Sequence, residues 1–165
     1  MHLSGDEAIR RAAIFLGLAD DPRSRFAGTL EVAAFDVGRK IFSEGEHAGE
    51  LYVVLSGEVE VTKKSKSGRS ARIALLGPGD CFGEMSLVDV QPRSATLRTL
   101  APSRLLRMTT ADLERLRNED LASYAQVVLN LAREMSRRLR TADGLLADLV
   151  VQVWDSYLTS EGDKK

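Results

Sequence analysis

The stretch Phe82-Gly83-Glu84-Met85-Ser86-Leu87-Val88-Asp89-Val90-Gln91-Pro92-Arg93-Ser94-Ala95-Thr96 decides how the rest of the chain reads. Gly83 stands between a bulky aromatic residue and a carboxylate, and the missing side chain lets backbone come close to a ligand. Backbone N–H groups in a turn or at a helix start point toward negative charge. Arg93 adds a planar, permanently charged fork that matches phosphate geometry. Ser94, Ala95 and Thr96 after it are small enough to leave room for a ligand. Glu84 is an acceptor suited to sugar hydroxyls, as carboxylates are in other nucleotide sites. Together these residues describe a compact cradle for an anion that carries hydroxyl groups.

The chain around this stretch is 165 residues long, 44% hydrophobic and 28% charged, enough for one domain with a real core and little more. A formal net charge of -1 gives no global basic field to draw the chain onto nucleic acid. No run approaches the ~18 apolar residues of a membrane span, and residues 1–11 lack a signal-peptide core. Cys81 is the single cysteine, so an intrachain disulfide is excluded and a reducing, cytoplasmic setting is expected, with Cys81 used for packing. His2 and His47 are isolated from each other, which leaves no histidine cluster for a metal. No nucleophile–base set, P-loop or dinucleotide fingerprint is present, so an enzyme is not expected.

Residues 6–17 place Ala8, Ile9, Ala12, Ala13 and Leu16 at helical spacing, with Gly17 as a stop. A second short helix is expected after Asp20-Asp21-Pro22. From Thr29 the period changes to short segments rich in Val, Ile, Leu and Tyr, broken by Gly about every ten residues. Strands are expected at 30–35, 51–55, 58–63, 72–76, 96–100 and 104–108, with turns at Ser56-Gly57, Ser65 to Gly68 and Gly77-Pro78-Gly79. Such spacing argues for an antiparallel sandwich or barrel. Lys63, Lys64, Lys66 and Arg69 form a basic hairpin tip that reads as a solvated loop. After Thr109 the pattern is helical. Thr110 is the expected N-cap of one helix, and a longer helix is expected from Glu119-Asp120. Leu121, Ala125, Val128, Ala132, Met135 and Leu139 form a heptad stripe. Gly144 is expected to punctuate it, before a final helix with Leu145, Leu146, Leu149, Val150, Val153, Trp154, Tyr157 and Leu158 on one face. The tail 159–165 is expected to be disordered.

The opening stretch resembles the phosphate-binding cassette of the cyclic nucleotide-binding domain family. That pattern is Phe-Gly-Glu, an apolar residue, a small residue and Leu, then a short loop, Arg, a small residue, Ala and often Thr. A second hallmark is similar over Gly38 to Glu46 and Leu51 to Val61, where a Gly-rich turn and an apolar strand end in Ser56-Gly57. Gly45 and Gly57 fit positions of positive φ there. Ala13-Ile14-Phe15 and Leu18 resemble the family's N-terminal helix. Val37 stands where the family often has Pro. The resemblance covers about Arg10 to Leu139.

The resemblance implies a mainly β fold, an eight-stranded jelly-roll-like β-barrel flanked by N-terminal and C-terminal helices. It implies an N-terminal helical segment at 1–28, a barrel at 29–108 containing the cassette at 82–96, and C-terminal lid and output helices at 109–158. It also implies a ligand, cAMP or cGMP, and no metal. Arg93 would take the phosphate oxygens, helped by Ser94 and Ala95. Gly83 and Glu84 would take the ribose 2′-hydroxyl, beside Met85. Leu87 and Val61 would be apolar wall contacts, and Arg133, Arg137 and Arg138 are candidate lid residues over the base. Four roles stay open at this point. The chain is a regulatory domain signalling through its C-terminal helices, a stand-alone or channel-type module, a sensor fragment of a transcription factor, or a barrel that binds nothing and serves as a scaffold. Only about twenty residues follow Thr141, too few for a helix-turn-helix, so no DNA binding by this chain is expected. Self-association or docking to a partner protein is expected through Leu145, Leu149, Val153, Trp154 and Tyr157, with Gly144 as a hinge.

Overall fold

Strand β3 (Glu50–Ser56) sets the layering of the molecule. Leu51, Tyr52, Val53, Val54 and Leu55 are all buried, as a strand covered on both faces requires. Alternation along the strand sends Leu51, Val53 and Leu55 into a cluster with Ile14, Phe15, Phe26, Val127 and Leu131. It sends Tyr52 and Val54 to the other side, among Phe42, Val59, Phe82, Leu97 and Leu105. The first cluster lies under helices; the second fills the space between two sheets.

The computed structural model describes residues 5–89 and 91–162, without the side chains of 156 and 158–162. Eight strands form two four-stranded antiparallel sheets of the jelly-roll kind. In one, β1 (Glu31–Phe35), β8 (Ser103–Thr109), β3 and β6 (Cys81–Phe82) lie side by side. In the other, the order is β2 (Lys40–Phe42), β7 (Thr96–Thr99), β4 (Val59–Lys64) and β5 (Ser70–Leu76). Strand β6 is missed by pattern because two residues are too few to show a period. Gly45 and Gly57 have φ of +87° and +97°, as expected. Cys81 is buried in the helix-side cluster, and Lys63, Lys64, Lys66 and Arg69 are exposed.

The N-terminal helix is shorter than its periodicity suggests. Helix α1 (Gly5–Arg11) ends before Ala12, and Ala13–Phe15 form a 3-10 turn that buries Ile14 and Phe15. Helix α2 (Asp20–Thr29) follows, with Asp20 and Asp21 in its first turn. The cap of α4 (Thr110–Glu119) is Thr109, one residue earlier than expected. Thr109 Oγ1 accepts from Asp112 N at 3.2 Å and Asp112 Oδ2 accepts from Thr109 N at 2.8 Å, a reciprocal pair that Thr110 could not make at this spacing. Burial pushes the Asp112 carboxyl up, but the bonds from Thr109 and Arg115 outweigh it and hold the group below its ordinary range.

Helix α5 (Leu121–Gly162) corrects the expectation of two helices parted at Gly144. It starts after Asp120, whose Oδ1 accepts from Ser123 N at 3.0 Å. It then runs unbroken through Gly144, so no stop exists there. One helical Gly costs only about 1 kcal/mol relative to Ala, and good helix formers on both sides outweigh it. The heptad stripe is not the face turned to the core. Val127 and Leu131 are buried, with Tyr124 packed beside them. Leu121 is 67% exposed and Leu139 63%. The chain forms two compact units with the boundary after Leu131, and the second consists of the later turns of α5. Within it Leu145, Leu149, Val153, Trp154 and Tyr157 are each more than half exposed. The side chain of Leu158 lies outside the described residues; of the tail, the backbone of 159–162 continues α5 and 163–165 lie outside them.

Candidate functional site

Phe42, Tyr52 and Phe82 converge between the sheets from β2, β3 and β6, with ring centroids 5.4 to 6.4 Å apart. The guanidinium carbon of Arg93 lies 4.0 Å from the centroid of the Phe42 ring. Arg93 itself is 3% exposed. Its backbone is pinned to the Gly45 turn: Arg93 N donates to Glu46 O and Gly45 N to Arg93 O, both at 2.8 Å. The Thr96 hydroxyl accepts from Glu44 N at 2.9 Å. The second sequence hallmark thus holds the first in place.

Gly83 opens α3 (Glu84–Val88) with φ +83°. A Cβ there would stand 2.6 Å from both Arg93 Nη1 and Glu50 O, so only glycine fits. The guanidinium is held from below. Arg93 Nη1 donates to Glu50 O at 2.7 Å and to Gly83 O at 3.3 Å, and Nη2 donates to Glu50 Oε2 at 3.0 Å. Among the described residues Arg93 Nε has no hydrogen-bond partner although it is buried. Burial pulls the Arg93 pKa down from the ordinary arginine range, and Glu50 opposes that. A buried cation with an unsatisfied donor is one whose hydrogen bonding an anion can complete.

The expected site residues fall into three groups. Gly83, Glu84, Arg93 and Ala95 gather at the cradle, with Glu84 4% and Ala95 6% exposed. Met85 and Ser94 sit at its exposed rim, the Ser94 hydroxyl 3.7 Å from Met85 Sδ. Val61 packs on the cluster between the sheets, whereas Leu87 packs on the helix-side cluster. The two expected wall residues thus pack on different layers. Arg133, Arg137 and Arg138 belong to the second unit. Arg137 and Arg138 pair with Glu134 on their own helix at 2.7 and 3.1 Å. Two contributors escaped the sequence reading, Glu50 and Phe42. Each reaches Arg93 across more than forty residues of chain, and nothing local marks them.

Among the described residues no group of three or more His, Cys, Asp or Glu could hold a metal ion, and no helix is long and apolar enough to cross a membrane.

Comparison with known proteins agrees with this geometry. The model of the cyclic nucleotide-binding domain matches residues 33–120, and the chain belongs to that family. A CRP-like cAMP-activated global transcriptional regulator of Mycobacterium tuberculosis is 33% identical over 145 residues, 88% of this chain and 63% of that protein. A cAMP-dependent protein kinase regulatory subunit of Yarrowia lipolytica is 37% identical over 92 residues, 56% of this chain and 24% of its own length. The crystal structure of the Thermus thermophilus catabolite activator protein superposes with a TM-score of 0.76 at 34% identity, covering 84% of this chain and 63% of the other. The chain thus spans less than two thirds of the bacterial regulators it matches.

Proposed function

We propose that this chain is a cyclic nucleotide sensor domain that binds cAMP or cGMP, carries out no catalysis, and passes occupancy to its C-terminal helix. The observation that carries the reading is the buried, unpartnered Arg93 Nε in a cradle closed by Gly83. Arg93 supplies the charge for the cyclic phosphate. Backbone N–H groups of Ser94 and Ala95 assist, Glu84 takes the ribose hydroxyl with Gly83, and Val61 lines the space beside the ligand. Arg133, Arg137 and Arg138 stand as candidate lid residues. A cytoplasmic location suits the single cysteine.

Output is proposed to run through self-association. Within the later turns of α5 the exposed stripe continues in register from Leu139 to Leu149 and Val153. A second copy of the same stripe is its natural complement. Calorimetric titration with cAMP, cGMP and a non-cyclic nucleotide tests binding. Ligand at ~100 times its dissociation constant should add ~2.7 kcal/mol and raise the melting point by roughly 5–10 °C. No heat and no shift at millimolar cAMP or cGMP overturns the reading. A second reading, the sensor portion of a transcriptional regulator, is favoured by the regulators among its relatives and by the share of their length it spans. A scaffold that binds nothing fits poorly with an orphaned buried arginine donor.

A further inference from the structure

A chain of alternating charges runs from Arg93 to the edge of the sheet. Register across β1, β8 and β3 puts Glu31, Arg107 and Tyr52 in one row, and Glu50, two residues before Tyr52, on the same face. The Glu50 carboxylate is shared: Oε2 accepts from Arg93 Nη2 at 3.0 Å and Oε1 from Arg107 Nη2 at 2.9 Å. Arg107 Nη1 in turn donates to Glu31 Oε2 at 2.9 Å. Side-chain exposure rises outward from 2% for Arg93 to 22% for Glu50, 33% for Arg107 and 63% for Glu31. Buried Arg93 depends on its counter-charge, because an uncompensated buried cation is costly. Arg107 has water and Glu31 as well.

A phosphate that reaches Arg93 meets a guanidinium already holding a carboxylate. Two anions on one cation repel, and a poorly hydrated setting strengthens the repulsion. Main-chain carbonyls of Glu50 and Gly83 keep the guanidinium in place whether or not the carboxylate is charged. Arg107 draws the charge of Glu50 away from the ligand. We propose that Glu50 is a positioning residue that competes with the ligand phosphate for Arg93, and that Arg107, anchored by Glu31, weakens this competition and so sets the affinity. The proposal rests on the cyclic nucleotide reading above.

The test compares the intact chain with its E50Q, R107Q, R107K and E50Q/R107Q variants. Calorimetric titration with cAMP and with cGMP is combined with melting curves with and without nucleotide. E50Q should bind about tenfold more tightly, equivalent to about 1.4 kcal/mol. It should melt lower without ligand and gain more from it. R107Q should bind about tenfold more weakly, and R107K should return close to the unmodified chain. In the double variant the loss at Arg107 should vanish, since its action passes through the charge of Glu50. An E50Q variant that binds equally or more weakly, or an additive double variant, overturns the proposal. If E50Q fails to fold, R107Q against R107K decides, and equal affinities overturn it. An unmodified chain that binds neither nucleotide brings down the cyclic nucleotide reading and this one with it; normal binding without the Glu50 effect brings down this one alone.

Discussion

The Arg93–Glu50 pair in the cradle and the pairs that Arg137 and Arg138 make with Glu134 on α5 stand on opposite terms. In the cradle, Arg93 pairs with Glu50 forty-three residues away and is all but sealed from water. On α5, Arg137 and Arg138 pair with Glu134 three and four residues away, and their side chains are 58% and 37% exposed. Exposed helical pairs of that spacing contribute ~0.3–0.5 kcal/mol and hold no charge in reserve. A buried pair with an unpartnered nitrogen is costly to maintain without ligand. The difference teaches that arginines of equal charge are told apart by how far away their partner lies in the chain and by how fully the guanidinium is satisfied.

The sharpest break of this comparison is at Arg93. Arg93→Ala should weaken cyclic nucleotide binding by ~2–5 kcal/mol, roughly 30- to 4,000-fold. Arg137→Ala should shift affinity far less, because its charge is half exposed and already paired with Glu134. Titration calorimetry of both variants reads the contrast, and equal losses would erase it. Next in size is Gly83→Ala. A Cβ 2.6 Å from Arg93 Nη1 and from Glu50 O, at φ +83°, adds backbone strain to overpacking. The cost expected in a thermal melt is about 2–4 kcal/mol, and a variant that melts like the original would show the cradle to be pliable.

Glu84→Ala should lose ~1.5–3 kcal/mol of binding to the natural ligand and much less to its 2′-deoxy analogue. Equal losses for the two ligands would remove Glu84 from the ribose. On the helix, Leu149→Asp places a charge in the exposed stripe. Sedimentation at tens of micromolar should show self-association weakened at least about tenfold with the melting point unchanged, because Leu149 is 55% exposed. A chain that is monomeric before the substitution contradicts the proposed interface. The smallest effect is at Gly144, where nothing lies within 4 Å of an added Cβ. Gly144→Ala should stabilise α5 by ~1 kcal/mol, in the opposite direction to the same change at Gly83. An increase in helix content by circular dichroism would accompany it.

Where a signal is local, the sequence carried it. Gly83 beside Glu84, with Arg93 ahead of three small residues, is a local pattern, and the fold brings Gly83 against Arg93 as that pattern suggests. The run Leu51 to Leu55 was readable as a strand, because five consecutive apolar residues need cover on both faces. Family likeness supplied the eight strands and the jelly-roll layering, which single-chain periodicity cannot fix when β6 is two residues long. Gly144 misled because a breaker residue was weighed without the helix formers around it. The heptad stripe is legible as a face, but period alone does not show what covers it.

Tertiary structure alone decided the rest. Glu50 and Phe42 reach Arg93 only because β3 and β2 are brought onto either side of the cassette by long-range strand pairing. Leu87 packs on the helix-side layer and Val61 on the inter-sheet one, a division that no local pattern marks. Val127 and Leu131, not the heptad leucines, became core, since the buried face of a helix is chosen by the surface it packs on. Residue type and spacing set what each side chain can do. The fold set which distant charge it must do it against, because electrostatic partners are selected by proximity in space and by how much water is excluded around them.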